Sequence, residues 1–185
     1  HPKRKADRPQ KKMPAVGAKV HLGPDNQGTW RAGWEVTAVH TGDRTMDLKH
    51  GWFGEVKGVA RDDVLIAAEA ADKRAEVVAY VAAHDLGATL EAMFANDEDE
   101  GADIMDPRTC TTLDLSDKDL SAAGAMPPAA AWQRVPEVKK VSLFRATLPA
   151  NGLEDVLAGC AHLTELNLSR TKFDQCGFPA VVDQL

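Results

Sequence analysis

Nucleophilic and metal-binding side chains are few in this chain of 185 residues, which contains three cysteines and six histidines. The closest cysteine–histidine pair is Cys160 and His162, and the sequence offers no third ligand beside them for a metal ion. The chain has no phosphate-binding glycine loop and no G-x-S-x-G, H-E-x-x-H or C-x-x-C motif. We therefore predict no catalytic residues, no metal site, no cofactor and no enzymatic activity.

Carboxylates are concentrated in residues 97–106, and such runs occur in calcium-binding loops. An EF-hand loop needs glycine at its sixth position and glutamate at its twelfth. Counted from Asp97, glycine comes fifth, at Gly101, and the twelfth residue is Arg108. We predict an acidic flexible linker instead.

Aromatic side chains are a third group that could do chemistry, because ring faces bind cations. Trp30, Trp52 and Phe53 form a candidate aromatic cage in the N-terminal region. Trp34 is in phase with Val36 along a predicted strand, so we expect it in the core. The alternative for all of these rings is that they pack against the protein interior.

The aromatic residues lie in residues 15–66, where short apolar segments alternate with turns. Predicted strands cover residues 18–22, 30–39, 45–48, 53–59 and 64–66, and residues 61–63 form a helical turn. W-x-x-G-x-x-V-x-x-V from Trp30, G-D-x-T-x-D-L from Gly42 and G-V-A-R-D-D-V from Gly58 follow in that order. This order is similar to Tudor- and Agenet-like SH3-type barrels. The resemblance implies a small β-barrel and, as in the members that bind methylated side chains, an aromatic cage.

Residues 67–96 have helical periodicity, with alanine and valine recurring every three or four residues between Ala71 and Val81. A second, short helix is predicted to follow Asp85, a residue type that caps helices. We expect residues 67–109, these helices and the acidic linker, to connect the barrel to the rest of the chain.

Three segments of residues 110–185 share one pattern of apolar spacing. They begin at Cys110, Val138 and Leu163, 28 and then 25 positions apart. Each has apolar residues at its first, fourth, sixth and eleventh positions and glycine at its fifteenth. This length is that of one strand-plus-helix unit. The pattern resembles the ribonuclease-inhibitor-like leucine-rich repeats, and the resemblance implies a solenoid that binds other proteins.

One position departs from these repeats. The family's asparagine at the ninth position is replaced by Lys118, Ala146 and Thr171, and only the threonine can donate a side-chain hydrogen bond inside the repeat. The pattern reaches Leu185 without a polar capping repeat. We therefore expect about three repeats and a solenoid that is truncated at this point.

The strand positions that face outward form the partner surface that the resemblance implies. Phe144 is the large apolar residue among them, and arginines flank it, which is a composition typical of interface hot spots. The candidate partner-binding residues are Asp114, Ser116, Asp117, Ser142, Phe144, Arg145, Asn167, Ser169 and Arg170.

Charge and composition limit the partners. The net charge of −6 argues against nucleic acid as the main partner. The exception is a basic tail over residues 1–14, with Lys3, Arg4, Lys5, Arg8, Lys11 and Lys12, for which we predict disorder unless it is pinned. No apolar run approaches the ~20 residues that span a bilayer. The cysteines lie at apolar repeat positions, so we expect core thiols and a reducing intracellular compartment.

A second resemblance concerns the layout of the whole chain. Tubulin-folding cofactors combine a CAP-Gly domain, also a small barrel, with leucine-rich repeats. CAP-Gly domains bind acidic tubulin tails at a G-K-N-D-G motif, and the nearest segment here is Lys49-His-Gly-Trp-Phe-Gly, which lacks the asparagine and the aspartate. A tubulin-folding-cofactor-like role is therefore an alternative.

The sequence thus predicts a mixed α+β and α/β protein in four parts. These are a flexible basic tail (1–14), a Tudor-like SH3-type barrel (15–66), helices with an acidic linker (67–109) and a leucine-rich-repeat solenoid (110–185). The predicted function is a non-enzymatic protein–protein interaction module, an adaptor or an accessory subunit of a large intracellular assembly. A regulatory subunit of an enzyme complex is a further alternative. The chain begins at His1 rather than methionine, so we expect sequence upstream of it.

Overall fold

A computed structural model describes residues 10–95 and 101–174, which form eleven strands and four helices. The largest element is a sheet of six strands built mainly from the N-terminal part of the chain. The C-terminal part contains a three-stranded and a two-stranded sheet, both parallel.

The N-terminal sheet is antiparallel, with the strand order β4-β3-β2-β1-β5. Apolar side chains alternate with polar ones along β3 and the middle of β2, where Trp34 and Val36 are buried and Thr37 is exposed. These side chains form one core with Met46 and Leu48. The strands are β1 (Lys19–Leu22), β2 (Thr29–His40), β3 (Thr45–His50), β4 (Gly54–Ala60) and β5 (Val64–Ile66).

Two helices follow this sheet, α1 (Ala67–Ala83) and α2 (Gly87–Phe94). The first turn of α1 is closed by Glu69, whose carboxylate accepts the Ile66 N–H at 3.1 Å. The same carboxylate accepts two hydrogen bonds from Arg61, a side chain that is 2% exposed. Arg61 and Glu69 therefore tie the last turn before β5 to the start of the helix.

A sixth strand, β6 (Ile104–Met105), pairs with the N-terminal end of β2. Its Ile104 is fully buried, and with Trp30 and Val77 it forms a second apolar cluster between β2 and α1. The Asp103 carboxylate accepts the Ala32 N–H at 2.8 Å. The chain after the acidic run is thus held against the sheet.

The buried carboxylate of Asp106 strengthens this attachment. It accepts hydrogen bonds from the Arg108 guanidinium at 2.9 Å and forms an ion pair of 2.5 Å with Lys73 of α1. Burial raises the pKa of Asp106, but the hydrogen bonds from Arg108 and Lys73 outweigh burial and hold the pKa below its ordinary value.

The C-terminal part consists of short strands and short helices. Its core is apolar throughout, and Trp132 lies at its centre, fully buried and donating from Nε1 to the Pro127 carbonyl at 2.9 Å. The elements are β7 (Thr112–Asp114), α3 (Ala129–Trp132), β8 (Lys140–Ser142), β9 (Thr147–Leu148), α4 (Gly152–Gly159), β10 (Glu165–Asn167) and β11 (Lys172–Phe173).

The turn between β1 and β2 joins the two parts. The Asn26 carbonyl accepts the N–H groups of Thr111 and Thr112, both at 2.9 Å. The Thr111 carbonyl in turn accepts the Lys139 N–H, and the Lys139 carbonyl accepts the Thr164 N–H. The Asn26 carbonyl therefore accepts the backbone hydrogen bonds at the start of β7, as the Thr111 carbonyl does at the start of β8 and the Lys139 carbonyl does at the start of β10.

The predicted fold class, an SH3-like barrel joined by a helical linker to a leucine-rich-repeat solenoid, is wrong. The described residues are organised around a mostly antiparallel sheet of six strands, accompanied by four helices. In this sheet β4 and β5 lie at opposite ends of the strand order. The physical reason for the error is β6, because a segment predicted to be a flexible linker buries Ile104 and adds a strand to the sheet.

The individual strands and helices agree better with the predictions made from the sequence. The five strands and the helical turn predicted in residues 15–66 are confirmed, as are the two helices after them. Trp34 is 4% exposed and lies in the core, as predicted. The Thr171 hydroxyl donates to the Leu143 carbonyl at 2.7 Å, the bond expected of this position. The division into four domains stays a prediction, and residues 1–9, 96–100 and 175–185 lie outside the described residues.

Candidate interaction surface

The candidate partner surface is built on β7, β8 and β10, which pair in parallel in the order β10-β8-β7. Leu113, Val141 and Leu166 are neighbours in this register and face the core. Because side chains alternate along a strand, the flanking residues of all three strands share the opposite face. Asp114, Ser142 and Asn167 lie side by side on it, as do Thr112, Lys140 and Glu165.

The chain leaves each strand through a similar turn. Asp117, Arg145 and Arg170 have left-handed backbone conformations, with φ of 59°, 58° and 59°. The N–H of Asp117 donates to the Phe144 carbonyl at 2.9 Å, and the N–H of Arg145 donates to the Ser169 carbonyl at 3.1 Å. Backbone hydrogen bonds between successive turns therefore fix the side chains at these positions in a row.

Side chains rigidify two of these turns. The Asp114 carboxylate accepts the N–H of Ser116 at 3.0 Å, and the Asn167 side-chain oxygen accepts the N–H of Ser169 at 3.0 Å. The Ser116 hydroxyl also donates to Asp114 and lies 2.9 Å from the Ser142 hydroxyl. The hydrogen bonds from the Ser116 side chain and backbone hold the pKa of Asp114 below its usual range. This carboxylate is therefore charged at neutral pH.

Phe144 lies at the centre of the surface and is half-buried. The guanidinium carbon of Arg145 is 5.3 Å from its ring centroid, and that of Arg170 is 6.0 Å away. Both distances are in the range of cation–π contacts. The sequence-predicted arrangement of an aromatic ring between two arginines is thus present.

Ion pairs on this surface are exposed and weak. Arg145 Nη1 is 3.6 Å from Asp117 Oδ1, and Lys140 Nζ is 2.5 Å from Glu165 Oε2, with more than half of each side chain exposed. Exposed pairs of this kind contribute about 0–1 kcal/mol. Arg170 forms no ion pair with any residue in the described ranges. Its guanidinium is therefore available to a ligand on this face.

All nine candidate partner-binding residues lie on this one surface, and none is fully buried. That they bind a partner stays a prediction.

The candidate aromatic cage of Trp30, Trp52 and Phe53 does not assemble. Trp30 is 8% exposed and packs against α1, whereas Trp52 and Phe53 lie at the tip of the β3–β4 hairpin and are 92% and 59% exposed. The reason is a bulge at Gly33, which has φ of 81°. One extra residue in β2 reverses the alternation, so that Trp30 and Trp34 face opposite sides.

The sequence did not predict a different ring cluster, formed by Phe53 and His50 of this hairpin with Trp34 of β2. Phe53 is stacked on Trp34 with centroids 6.2 Å apart, and His50 lies 4.8 Å from Phe53. The guanidinium carbon of Arg31 is 5.6 Å from the Phe53 centroid. A glycine inside a strand is the signal that could have indicated the bulge and hence this pairing of rings.

The basic tail is described only in part. Lys3, Arg4, Lys5 and Arg8 lie outside the described residues. The Lys11 carbonyl accepts a hydrogen bond from Arg44 at 2.9 Å, and the Lys12 carbonyl accepts one from Arg61 at 2.7 Å. The end of the tail is thus pinned to the N-terminal sheet through its backbone, while its lysine side chains take no part in these bonds.

The cysteines behave as small core residues where they are described. Cys110 and Cys160 are free and buried, as predicted, and burial raises the pKa of each thiol to about 11. Cys176 lies outside the described residues. In the described ranges, no group of three or more histidine, cysteine, aspartate or glutamate side chains could hold a metal ion. None of the described helices has the length and apolarity to cross a membrane.

No protein-family model, curated protein or solved structure matches this chain. That the chain belongs to the leucine-rich-repeat or Tudor-like families therefore stays a prediction.

Proposed function

We propose that this chain is a non-enzymatic protein–protein interaction module, an adaptor or accessory subunit of a larger intracellular assembly. The observation that supports this most directly is Phe144 between Arg145 and Arg170 at the centre of a fixed row of exposed polar side chains. The partners we propose are other proteins that contact the face of β7, β8 and β10.

Rigidity of the surface favours binding. The row is held by backbone hydrogen bonds between turns and by the side-chain bonds of Asp114 and Asn167. A surface whose conformation is already fixed loses little entropy when a partner docks. The free energy gained from each contact is then available for affinity.

The chemistry of the three central residues suggests what the partner supplies. A half-buried ring gains free energy when an apolar group of the partner covers it, and aromatic and arginine residues are the commonest interface hot spots. Arg170 has no carboxylate partner among the described residues, and the ion pair of Arg145 with Asp117 is long and exposed. We propose that the partner places an apolar side chain on Phe144 and a carboxylate between the two guanidinium groups.

The double variant Phe144→Ala, Arg170→Glu tests this proposal. We expect it to lose its partner, because it removes the apolar anchor and reverses the charge that meets the carboxylate. The melting temperature should hardly change, because neither side chain is fully buried. The measurement is a pull-down with the tagged chain from cell extract, partner identification by mass spectrometry, and a melting curve of each variant.

A matched control is Leu157→Ala, Arg134→Glu, the same two kinds of change at exposed positions on α4 and after α3. This variant should retain the partner that the wild-type chain captures. Loss of the partner from both variants, or its retention by the Phe144 variant, would contradict the proposal. A large fall in the melting temperature would make Phe144 a structural residue.

A further inference from the structure

Strand β4 (Gly54–Ala60) is an unpaired edge of the N-terminal sheet. It stands at the outer end of the strand order, and no strand of the described residues pairs with its outer side. Every residue of β4 except Val59 is exposed. Such an edge presents a row of backbone donors and acceptors to which another strand can add.

Exposed apolar side chains accompany this edge. Trp52 is 92% exposed, Phe53 is 59% exposed and Val56 is 39% exposed. They lie within five residues of one another along the chain, in the turn before β4 and in β4 itself. A cluster of large apolar groups beside an open strand edge is typical of an interaction site.

The charges of β4 identify the strand that fits it. Glu55 and Lys57 flank Val56, with opposite charges at equal distances from it. When β4 pairs antiparallel with a second β4 about Val56, Glu55 of each copy lies opposite Lys57 of the other. Directly opposed residues of opposite charge stabilise a strand pair, and like charges destabilise it.

We propose that β4 is a homodimer interface, in which the strands of two copies pair antiparallel about Val56. The contact has two-fold symmetry, the commonest symmetry of protein dimers. Neither Glu55 nor Lys57 forms an ion pair with another described residue, so both are available to the second copy.

The regular pairing is short. β4 has one extra residue between Val56 and Val59, and Gly58 there has φ of 67°, so the pairing about Val56 covers Glu55–Lys57 of each copy. The interface is small, since it consists of one strand and one turn from each copy, and we therefore expect a weak, concentration-dependent dimer.

Charge reversal tests this register. Glu55→Lys places a lysine opposite Lys57 of the second copy, and Lys57→Glu places a glutamate opposite Glu55 of the second copy. We expect each variant alone to dimerise at least about tenfold more weakly, since both cross-strand pairs become repulsive. An equimolar mixture of the two variants should form a mixed dimer. In the register proposed here, the mixed dimer pairs the new lysine with the new glutamate and the native Lys57 with the native Glu55, so it should be as stable as the wild-type dimer.

The measurement is sedimentation velocity of the whole chain over about 1 µM to 1 mM, the range of weak complexes. Lys139→Glu and Glu154→Lys make the same charge changes at exposed positions away from β4 and should dimerise like the wild type. A wild-type chain that stays monomeric over this range would overturn the proposal and leave β4 open to a strand of another protein. A dimer that both single variants preserve, or a mixture that fails to regain it, would also overturn it.

Discussion

The N-terminal sheet and the C-terminal parallel strands fix their strand registers in different ways. Pairing in the N-terminal sheet shifts at three places, between β1 and β2, β2 and β3, and β3 and β4. The pairing of β7, β8 and β10 has no such shift, and Leu113, Val141 and Leu166 follow one another in register. Residues at corresponding positions of the three C-terminal segments are therefore neighbours, whereas no such correspondence holds along the N-terminal sheet.

The two parts also differ in where their charges lie. The buried charged or titratable side chains of the described residues, apart from the thiols, are His21, Arg61, Arg74 and Asp106, and all of them precede β7. The C-terminal part has an apolar core and keeps its charged groups on the surface. The N-terminal part thus depends on a few long-range polar contacts, whereas the C-terminal part depends on its apolar core and keeps its polar side chains at the surface.

Asp106→Ala is the strongest test of this difference. The substitution removes the buried carboxylate that accepts hydrogen bonds from Lys73 and Arg108, two cations that are mostly buried. The exposed carboxylate of Glu76 is then the remaining ion-pair partner of both cations among the described residues. Loss of their buried partner should lower the free energy of unfolding by about 3–5 kcal/mol. Urea unfolding of the whole chain, followed by circular dichroism, measures this loss.

Asp43→Ala serves as the control, because Asp43 is exposed in the turn between β2 and β3. It should change the free energy of unfolding by no more than about 0.5 kcal/mol. Similar losses from the two variants would mean that the buried ion network contributes little and that the comparison of the two parts is wrong.

Gly28→Ala tests the junction between the two parts. Gly28 has φ of 74°, and a Cβ there would lie 2.9 Å from the backbone nitrogen of Cys110. We expect a loss of about 3–4 kcal/mol, because left-handed strain of about 1–2 kcal/mol adds to the cost of backbone overlap. Gly124→Ala, at φ of 77° with open space around it, should show the strain alone. The measurement is the difference between the two variants in urea unfolding, and equal losses would show that the close approach at Gly28 is unimportant.

The same contrast explains how much the sequence could predict. The pattern of apolar positions within each segment was enough to identify the outward residues of β7, β8 and β10, because no bulge interrupts their alternation. In β2 the period of two fails at Gly33, so the faces of Trp30 and Trp34 could not be deduced from their spacing. The six-stranded sheet was missed because β6 is only two residues long and follows an acidic run. Its place depends on contacts with β2 and α1 that no local pattern records.

Acid sensitivity is the smallest effect by which the two parts should differ. His21 is 6% exposed, and its Nε2 lies 3.0 Å from the Ala102 carbonyl, which it shares with Arg74 of α1. Burial lowers the pKa of His21 below its ordinary value of about 6.5, although the Ala102 carbonyl opposes the shift. The unfolded chain therefore takes up the proton first as the pH falls. Stability is complete above about pH 6.5 and is lost as the pH falls towards the lower pKa of the folded state, at no more than about 1.4 kcal/mol per pH unit.

The variant His21→Gln should remove this slope of stability against pH, because glutamine keeps an N–H for the Ala102 carbonyl but does not titrate. His162→Gln, at an exposed position in the C-terminal part, should keep it. Urea unfolding midpoints at several pH values between about 7.5 and 5, above the range in which ordinary carboxylates titrate, compare the two variants with the wild type. If His21→Gln retains the slope and His162→Gln loses it, the acid-sensitive group lies in the C-terminal part, and the assignment of the titratable interior to the N-terminal part is wrong.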